Sequence, residues 1–392
     1  METNQKKFKI NIREYAMMFA LVFVVLLFQV MTKGILLTPI NITNLIQQNS
    51  YVMILACGML LCILTGGNVD LSVGSVAGFI GAVSAVFILK MDMAILPAIL
   101  ISLGIGLLIG MWQGWWIAYV GVPPFIATLA GMLIFRGLTM VTLKGTSLAP
   151  LPAAYNFIAA GFIADPFSAE GSTLNILAII AGVLISIYII VNEFLQRKSQ
   201  KKYGFATQPM VLVIFKLAVL CAVVNFFTYK LAQRNGLPAV LVLVAILVLI
   251  YTFITMRTTF GRHIYAFGGN AKAARLSGIK TKQVMFWVYA NMGLMAALAG
   301  IVFTGRLNSA TPKSGNGFEM DAIAACFIGG ASTSGGVGTI IGAIVGALMM
   351  GVLNNGMAIM GVSIDWQQVI KGMVLLLAVA FDVLSNKTSR SA

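Results

Sequence analysis

Long apolar runs alternate with short polar segments along almost the whole chain. A transmembrane helix needs about 20 mainly apolar residues, because a helix of that length matches the hydrocarbon core of a bilayer. Eleven runs meet or approach this length. We interpret the first as an uncleaved span rather than a signal peptide. They lie at 15–31, 50–64, 75–89, 95–117, 124–143, 174–194, 211–231, 239–256, 283–303, 340–360 and 369–384.

The distribution of positive charge predicts the side of the membrane on which each loop lies. Two dense basic segments, 197–202 and 257–282, are separated by two apolar runs and fall on the same side. The positive-inside rule makes that side the cytoplasm. Eleven spans from an inside N-terminus would leave the basic C-terminal tail outside. We therefore expect 322–330 to be a broken or tilted twelfth segment, too short to cross alone at about 1.5 Å per residue.

These patterns predict an all-α polytopic transmembrane helical bundle, with about twelve membrane-embedded helices that include broken, glycine-rich segments. We expect cytoplasmic tails at 1–14 and 385–392, and one transmembrane domain at 15–384 with a cytoplasmic loop at 257–282. Of the 392 residues, 59% are hydrophobic and 9% are charged, whereas soluble domains carry about 25% charged residues. Basic loops beside anionic headgroups account for the net charge of +15, so no nucleic acid partner is expected.

The loop 257–282 contains six Lys or Arg residues and no Asp or Glu. Inside it, Asn270 is a good N-cap, residues 271–276 favour helix, and Gly278 suits the left-handed position that ends a helix. A helix of two turns is marginal alone, so this one needs a surface to dock against. The alternative is a solvated basic loop that only sets the topology.

Two glycine-rich segments resemble each other, one at 67–75 and the other at 330–339. Each leads into a run in which glycines recur at short spacing. Small residues four apart let helices approach closely in lipid, whereas paired glycine-interrupted segments also mark transport paths. Both interpretations are open at this point.

Polar and aromatic side chains in or beside the apolar runs are candidates for a translocation path. Asp70 follows a Gly-Gly break, where a carboxylate at a helix N-terminus offsets the helix dipole. A buried carboxylate is also the kind of group that serves as an ion site in carriers. Trp115 fits an interfacial aromatic belt equally well. The path candidates from residue type are Asp70, Gln113, Trp115, Arg136, Asp321, Asn354 and Asn355.

The chain offers few groups for catalysis or metal binding. His263 is the single histidine, and the four cysteines lie in apolar runs without a CxxC pair, which is typical of buried core residues. No G-x-x-x-x-G-K-[ST] phosphate loop occurs. We therefore expect no ATPase site and no cofactor in this chain, and transport driven by ATP would need a separate subunit that binds ATP and Mg²⁺. The alternative function is an ion-coupled secondary carrier. A membrane enzyme is not expected, because the sequence shows no nucleophile paired with a base.

Eight short segments stand out through the combination of their residues. They are 70–75 (Asp-Leu-Ser-Val-Gly-Ser), 123–132 (Pro-Pro-Phe-Ile-Ala-Thr-Leu-Ala-Gly-Met), 135–137 (Phe-Arg-Gly), 261–262 (Gly-Arg), 265–270 (Tyr-Ala-Phe-Gly-Gly-Asn), 273–279 (Ala-Ala-Arg-Leu-Ser-Gly-Ile), 321–330 (Asp-Ala-Ile-Ala-Ala-Cys-Phe-Ile-Gly-Gly) and 335–338 (Gly-Gly-Val-Gly). Together they resemble the sugar permeases of ATP-binding-cassette (ABC) importers, the ribose/xylose permease family. The resemblance covers nearly the whole chain.

The resemblance implies a permease subunit in the bacterial cytoplasmic (plasma) membrane that imports a monosaccharide. The implied partners are an ABC ATPase subunit, an extracytoplasmic sugar-binding protein and a second permease copy, because two-fold symmetry pairs one coupling helix per chain with two ATPase grooves. It also adds Phe125 to the path candidates. The implied coupling residues are Gly269, Asn270, Ala273, Ala274, Arg275 and Gly278.

The sequence departs from the family pattern at two places. Gln113 stands before Gly114 where the family commonly has an Asn-Gly pair, which weakens the case for a sugar contact there. The runs 174–194 and 211–231 resemble an extra helix pair beyond the shorter ribose permeases. That pair favours the xylose or multiple-monosaccharide branch.

Overall fold

The computed structural model describes residues 12–167, 174–203 and 209–390, and the regular secondary structure of this part of the chain is helical apart from two isolated β-bridges. A π-helical turn, Trp116–Val120, extends the fourth helix. The helices are α1 (Ile12–Met31), α2 (Pro39–Leu64), α3 (Val73–Leu89), α4 (Ile95–Trp115), α5 (Pro124–Leu143), α6 (Ala153–Ala160), α7 (Ile176–Lys202), α8 (Met210–Ala232), α9 (Ala239–Arg257), α10 (Thr259–Gly269), α11 (Ala271–Leu276), α12 (Thr281–Leu307), α13 (Phe318–Ile328), α14 (Ile340–Ile359) and α15 (Ile364–Arg390).

The all-α polytopic bundle predicted from the apolar runs is confirmed. Nine helices in the described part of the chain are long and apolar enough to cross a membrane. The apolar parts of α1 and α3 are shorter, and α13 has 11 residues, too few to cross alone. The total of twelve embedded helices therefore stays a prediction, as do the domain limits and the cytoplasmic position of both tails, parts of which lie outside the described residues.

Several boundaries and elements differ from those expected. The second span begins at Pro39 rather than near residue 50, because proline is well suited to the first turn of a helix and the polar residues that follow do not interrupt it. The last helix begins at Ile364. Two helices in loops, α6 and α10, were not predicted, since neither is long enough to register as an apolar run.

Residues 162–238, together with 37–44, form one compact unit. Its main feature is an antiparallel pair, α7 and α8. Gly182 faces Thr228, the Asn225 amide donates to the Ser186 hydroxyl at 2.8 Å, and further along Lys216 pairs with Glu193 at 3.1 Å. We call this pair the α7–α8 hairpin.

The second unit contains the main core and consists of Arg13–Leu36, Leu45–Gly161 and the chain from Ala239 onwards. In this unit α12 packs against α3 and α4 through small residues. A Cβ at Gly106 would lie 2.3 Å from the Cβ of Ala297 on α12, and one at Gly300 would lie 2.2 Å from the Ala77 carbonyl oxygen on α3. Helices in lipid approach closely where side chains are small.

The glycines that recur after the two turns are packed in the same way, since a Cβ at Gly81 would lie 2.2 Å from the Thr304 hydroxyl oxygen and one at Gly346 would lie 1.9 Å from the Ala325 carbonyl oxygen. The tight-packing interpretation is therefore confirmed for these two glycines.

Candidate functional site

The short helix predicted inside the basic loop is present as α11, with both of its predicted ends. The Asn270 side-chain oxygen accepts a hydrogen bond from the Ala273 amide at 3.0 Å, which satisfies one N–H of the first turn. Gly278 has a φ of 84°, its N–H donates to the Arg275 carbonyl, and the Ile279 N–H donates to the Ala274 carbonyl, each at 3.1 Å. These two bonds form a Schellman motif, which requires a left-handed residue at Gly278.

The side chains of α11 differ in exposure between the face that packs on the protein and the face that points outward. Gly269, Ala273 and Arg275 are exposed, and the side chain of Leu276 is 90% exposed. The expectation that Ala274 faces a partner is wrong, because this side chain is only 4% exposed and is covered by the chain itself. A larger side chain at Ala274 would therefore disturb the seat of α11 on its own protein.

The basic loop also contains α10, which ends at Gly269, immediately before the cap of α11. The Thr258 hydroxyl oxygen caps α10 by accepting from the Gly261 amide at 3.2 Å. At the other end, the Tyr265 hydroxyl donates to the Gly338 carbonyl at 2.7 Å. Burial raises the pKa of Tyr265 above its ordinary value, so the hydroxyl remains a proton donor at neutral pH. Thr258 followed by apolar residues at 260, 264 and 267 is the sequence signal for this helix.

The end of α10 meets both glycine-rich turns at one point, which we call the glycine junction (residues 64–72, 265–269 and 329–338). The Gly336 N–H donates to the Leu64 carbonyl at 3.0 Å. A Cβ at Gly268 would lie 1.7 Å from that same carbonyl oxygen, and one at Gly67 would lie 1.9 Å from the Thr333 carbonyl oxygen. No side chain fits in such spaces, so the backbones themselves are in contact. The two segments that resemble each other in sequence are thus direct neighbours.

Asp382 on α15 holds the second turn of this junction and was not singled out from the sequence. Its carboxylate accepts from the Thr333 N–H at 3.0 Å, the Thr333 hydroxyl at 3.1 Å and the Ser332 hydroxyl at 3.3 Å. The available signal was a lone carboxylate in an otherwise apolar run, which normally marks a specific polar partner.

Asp70 and Gln113 belong to one buried hydrogen-bonded chain. Asp70 accepts from the Ser72 N–H at 2.8 Å and the Ser72 hydroxyl at 2.6 Å, and the Gln113 amide donates to that hydroxyl at 2.8 Å. Ser72 directly precedes α3, so the carboxylate lies at the start of a helix, as expected. Asp70 and Gln113 are each 1% exposed, and their polar groups serve to join α3 to α4.

A second buried cluster surrounds Asp321 on α13. The Tyr51 hydroxyl donates to Asp321 at 2.9 Å, and Lys371 on α15 forms an ion pair with it at 3.0 Å. Tyr51 also stacks on Phe318, with 3.9 Å between ring centroids. The Oε2 atom of the neighbouring Glu319 is buried and has no hydrogen-bond partner among the described residues. Tyr51 and Lys371 were missed, and the isolated lysine in an apolar run was the signal for the latter.

The other path candidates are divided between this cluster and the outer surface. Asn355 is buried and donates to Gln48 at 3.4 Å. Gln48 lies three residues before Tyr51 on α2, so Asn355 and Asp321 are held from the same face of that helix. Asn354 is half-buried, and its side-chain oxygen has no partner among the described residues.

Two aromatic candidates are not gathered into either buried cluster. Arg136 on α5 is half-buried and interacts electrostatically with Glu319 beside Asp321. Trp115 is 47% exposed and packs edge-on against Trp116, with 5.0 Å between ring centroids, and Phe125 is 57% exposed. The exposure of Trp115 fits the belt interpretation. The eight path candidates therefore do not form one site within a single chain.

Comparison with known proteins agrees with the geometry. The family described as branched-chain amino acid transport system / permease component matches residues 41–379. The chain is 36% identical to the xylose transport system permease protein XylH of Haemophilus influenzae, over 96% of this chain and 98% of that protein. It is 38% identical to XylH of Escherichia coli K12, over 97% and 94%. The ribose import permease protein RbsC of E. coli K12 is 35% identical, over 87% and 85%.

No solved structure gave a significant match. The family match covers well over half of the chain, and both kinds of relative exceed 30% identity over most of its length. The helices predicted as spans supply the membrane-crossing architecture that such a protein needs. This chain therefore belongs to the transport-system permease-component family that contains the xylose and ribose permeases.

Proposed function

We propose that the chain is the membrane permease subunit of an ABC importer that moves a monosaccharide, xylose or a related sugar, into a bacterial cell. A separate ATPase subunit binds ATP and Mg²⁺ and supplies the energy. An extracytoplasmic binding protein delivers the sugar, and two copies of the permease surround the path. The observation that carries this proposal is the seating of α10 on the glycine junction, because α10 connects the exposed helix α11 to both glycine-rich turns.

The contacts of the junction support a route from ATPase to membrane. Leu276, Ala273 and Arg275 form the exposed face of α11, which is the surface available to the ATPase. α10 continues from α11 with only Asn270 between them, and Gly268 and Tyr265 contact the backbone of both turns. A displacement of α11 would therefore move the end of α2 and the turn that leads into α14, since packed backbones transmit rigid-body shifts.

The buried polar set formed by Tyr51, Asp321, Lys371, Asn355 and Gln48 is the best candidate for the sugar path. Sugars are recognised by a few well-placed polar groups beside aromatic surfaces. The stacked rings of Tyr51 and Phe318 supply such a surface next to the Asp321 carboxylate.

The decisive experiment reconstitutes the permease with its ATPase and binding protein in proteoliposomes. We expect ATP hydrolysis to be stimulated by the loaded binding protein and uptake to persist when an ionophore collapses ion gradients. Uptake that stops with the ionophore and ignores ATP would instead establish the ion-coupled carrier. Competition among xylose, ribose and related sugars in the same assay identifies the substrate.

Docking is tested by Leu276→Asp. The change places a charge in a contact that excludes water, and an unpaired buried charge costs several kcal/mol. We expect normal insertion and loss of ATPase co-purification. The control is Lys272→Gln on the same helix, which keeps the apolar contact and should retain most of the ATPase.

The proposed orientation is tested with cysteine at Ser199 or Ser277 in a background without the four native cysteines. Both positions belong to basic segments that the positive-inside rule assigns to the cytoplasm. We expect neither to react with an impermeant thiol reagent in intact cells and both to react after permeabilisation. Labelling in intact cells would reverse the topology.

A further inference from the structure

Two adjoining cavities lie between α9, α10 and α12, away from the polar path candidates. The first, of about 320 Å³, is lined by Leu61, Tyr251, Ile254, Phe260, Trp287 and Asn291. The second, of about 280 Å³, includes His263, Lys280 and Gln283. Phe260 and Trp287 line both cavities, so the two lie side by side, and we call them together the groove. The first alone reaches the range of about 300 Å³ at which small-molecule sites begin.

The groove changes from polar to apolar along one face of α12. Lys280, Gln283, Trp287 and Asn291 follow one another at spacings of three or four residues, which places them in a row on that face. Lys280 and Gln283 are exposed at the start of the helix, and Trp287 is 51% exposed one turn further in. A tryptophan at this depth is typical of the boundary between headgroups and hydrocarbon.

Lys280 supplies the positive charge at the polar end, where it lines the second cavity together with the His263 side chain. The surrounding loop 257–282 has no acidic residue. At the apolar end, the Asn291 side-chain oxygen accepts from the Tyr251 hydroxyl. The Asn291 Nδ2 group is itself buried and has no hydrogen-bond partner among the described residues. The apolar cavity thus adjoins a polar end that contains Lys280.

We infer that this groove binds an anionic glycerophospholipid, with an acyl chain in the apolar cavity and the phosphate against Lys280 and His263. An anionic headgroup is favoured over a zwitterionic one, because each lysine near a membrane surface attracts anionic lipid. The groove lies beside α10, so its occupant contacts the helix that connects α11 to the glycine junction.

Native mass spectrometry of the full-length permease in detergent tests this inference by titration with phosphatidylglycerol or phosphatidylcholine. We expect tighter binding of phosphatidylglycerol by the wild-type chain. Lys280→Gln should weaken binding of phosphatidylglycerol about fivefold, the effect of about one cation near a membrane surface. Trp287→Ala should weaken binding of both lipids, because it removes the wall shared by the two cavities.

Lys272→Gln is the matched control, since Lys272 is exposed in the same basic loop and does not line the groove. Equal losses from Lys272→Gln and Lys280→Gln would overturn the inference in favour of diffuse attraction to the loop. Unchanged binding in both Lys280→Gln and Trp287→Ala would also overturn it.

The same titration on the complex with the ATPase distinguishes a lipid site from an ATPase contact. Retained phosphatidylglycerol supports the lipid site, whereas its complete displacement means that the groove belongs to the ATPase contact. None of these outcomes depends on transport, so the inference stands or falls separately from the proposed function.

Discussion

The glycine junction and the α7–α8 hairpin are held together by opposite kinds of contact. At the junction, the backbone at Gly268 touches the Leu64 carbonyl so closely that no Cβ can be added. In the hairpin, side chains make the connections, as in the hydrogen bond from Asn225 to Ser186. The junction is also the more deeply buried region. In the apolar part of α2, which leads into the junction, 83% of the residues are buried, whereas in the apolar part of α7 only 17% are buried.

This difference predicts how each region responds to mutation. Backbone contacts at van der Waals distance leave no freedom for repacking, so any added atom forces two segments apart. Side-chain hydrogen bonds inside a membrane are worth only about 0.6 kcal/mol on average, and apolar pairs of similar shape can replace them. The junction should therefore be sensitive to single atoms, whereas the hairpin should tolerate substantial changes.

The largest effect is expected from Gly268→Ala, compared with Gly269→Ala one residue later. A Cβ at Gly268 would lie 1.7 Å from the Leu64 carbonyl oxygen, whereas at Gly269 it meets open space. We expect Gly268→Ala to cost about 4 kcal/mol or more, in the exceptional range for one substitution, and to abolish uptake. Thermal unfolding in detergent and uptake in cells measure both variants. Equal behaviour of the two variants would contradict the close contact.

A smaller loss is expected from Asp382→Ala. This change leaves the Thr333 N–H and the two hydroxyl groups of the turn without their acceptor. An unsatisfied buried donor costs about 1–3 kcal/mol, and the freed turn should reduce sugar-stimulated ATP hydrolysis more than basal hydrolysis. Asp382→Asn keeps an acceptor oxygen and should recover part of the stimulation. Unchanged stimulation in Asp382→Ala would mean that the hydrogen bonds from the turn to Asp382 have no role in coupling.

Tyr265→Phe should have a milder effect, because it removes one hydrogen bond to the Gly338 carbonyl and keeps the ring. The expected loss is about 1 kcal/mol. ATPase co-purification should remain normal while stimulation by the loaded binding protein falls several-fold.

Since burial raises the pKa of Tyr265, its folded state favours the protonated hydroxyl. This contribution to stability is complete below the ordinary tyrosine pKa of about 10 and is lost as the pH rises above it. The wild type should therefore lose more stability than Tyr265→Phe in that alkaline range, measured by thermal unfolding.

The smallest effect is expected in the hairpin, from Ser186→Ala combined with Asn225→Leu. Both partners of the 2.8 Å hydrogen bond are then apolar, and neither is left unsatisfied. We expect a change below about 1 kcal/mol and uptake close to wild type. Asn225→Leu alone should be slightly worse, because it leaves the Ser186 hydroxyl with one contact fewer. A loss as large as that of Gly268→Ala would remove the contrast between the two regions.

Much of the fold was predictable because each signal was local. Apolar runs gave the spans, with 124–143 matching α5 and 340–360 ending one residue beyond α14. Asn270 and Gly278 marked both ends of α11, since caps are decided by the residues beside them. The start of α2 at Pro39 and the helices α6 and α10 were missed, because polar or short helices lack the long apolar pattern on which the prediction relied.

The candidate site was less predictable, because its parts are distant in sequence. Asp321 was singled out, but its partner Lys371 is 50 residues away and Tyr51 is 270 residues away. Gln113 was considered as a sugar contact, whereas its amide is bonded to Ser72 inside the core. Ala274 was placed on the wrong face, since a helix of less than two turns carries too little pattern to show which side is covered.

The sequence by itself determined the membrane spans, the basic loop, the two caps of α11 and the similarity between the glycine-rich turns. These properties depend on residues that are adjacent or regularly spaced, so a pattern is enough to reveal them. Only the tertiary structure brought 64–72, 265–269 and 329–338 into one junction and covered Ala274 while leaving Leu276 exposed. Which glycines are compressed, and which side chains face outward, depends on how distant segments meet, and no local pattern encodes that approach.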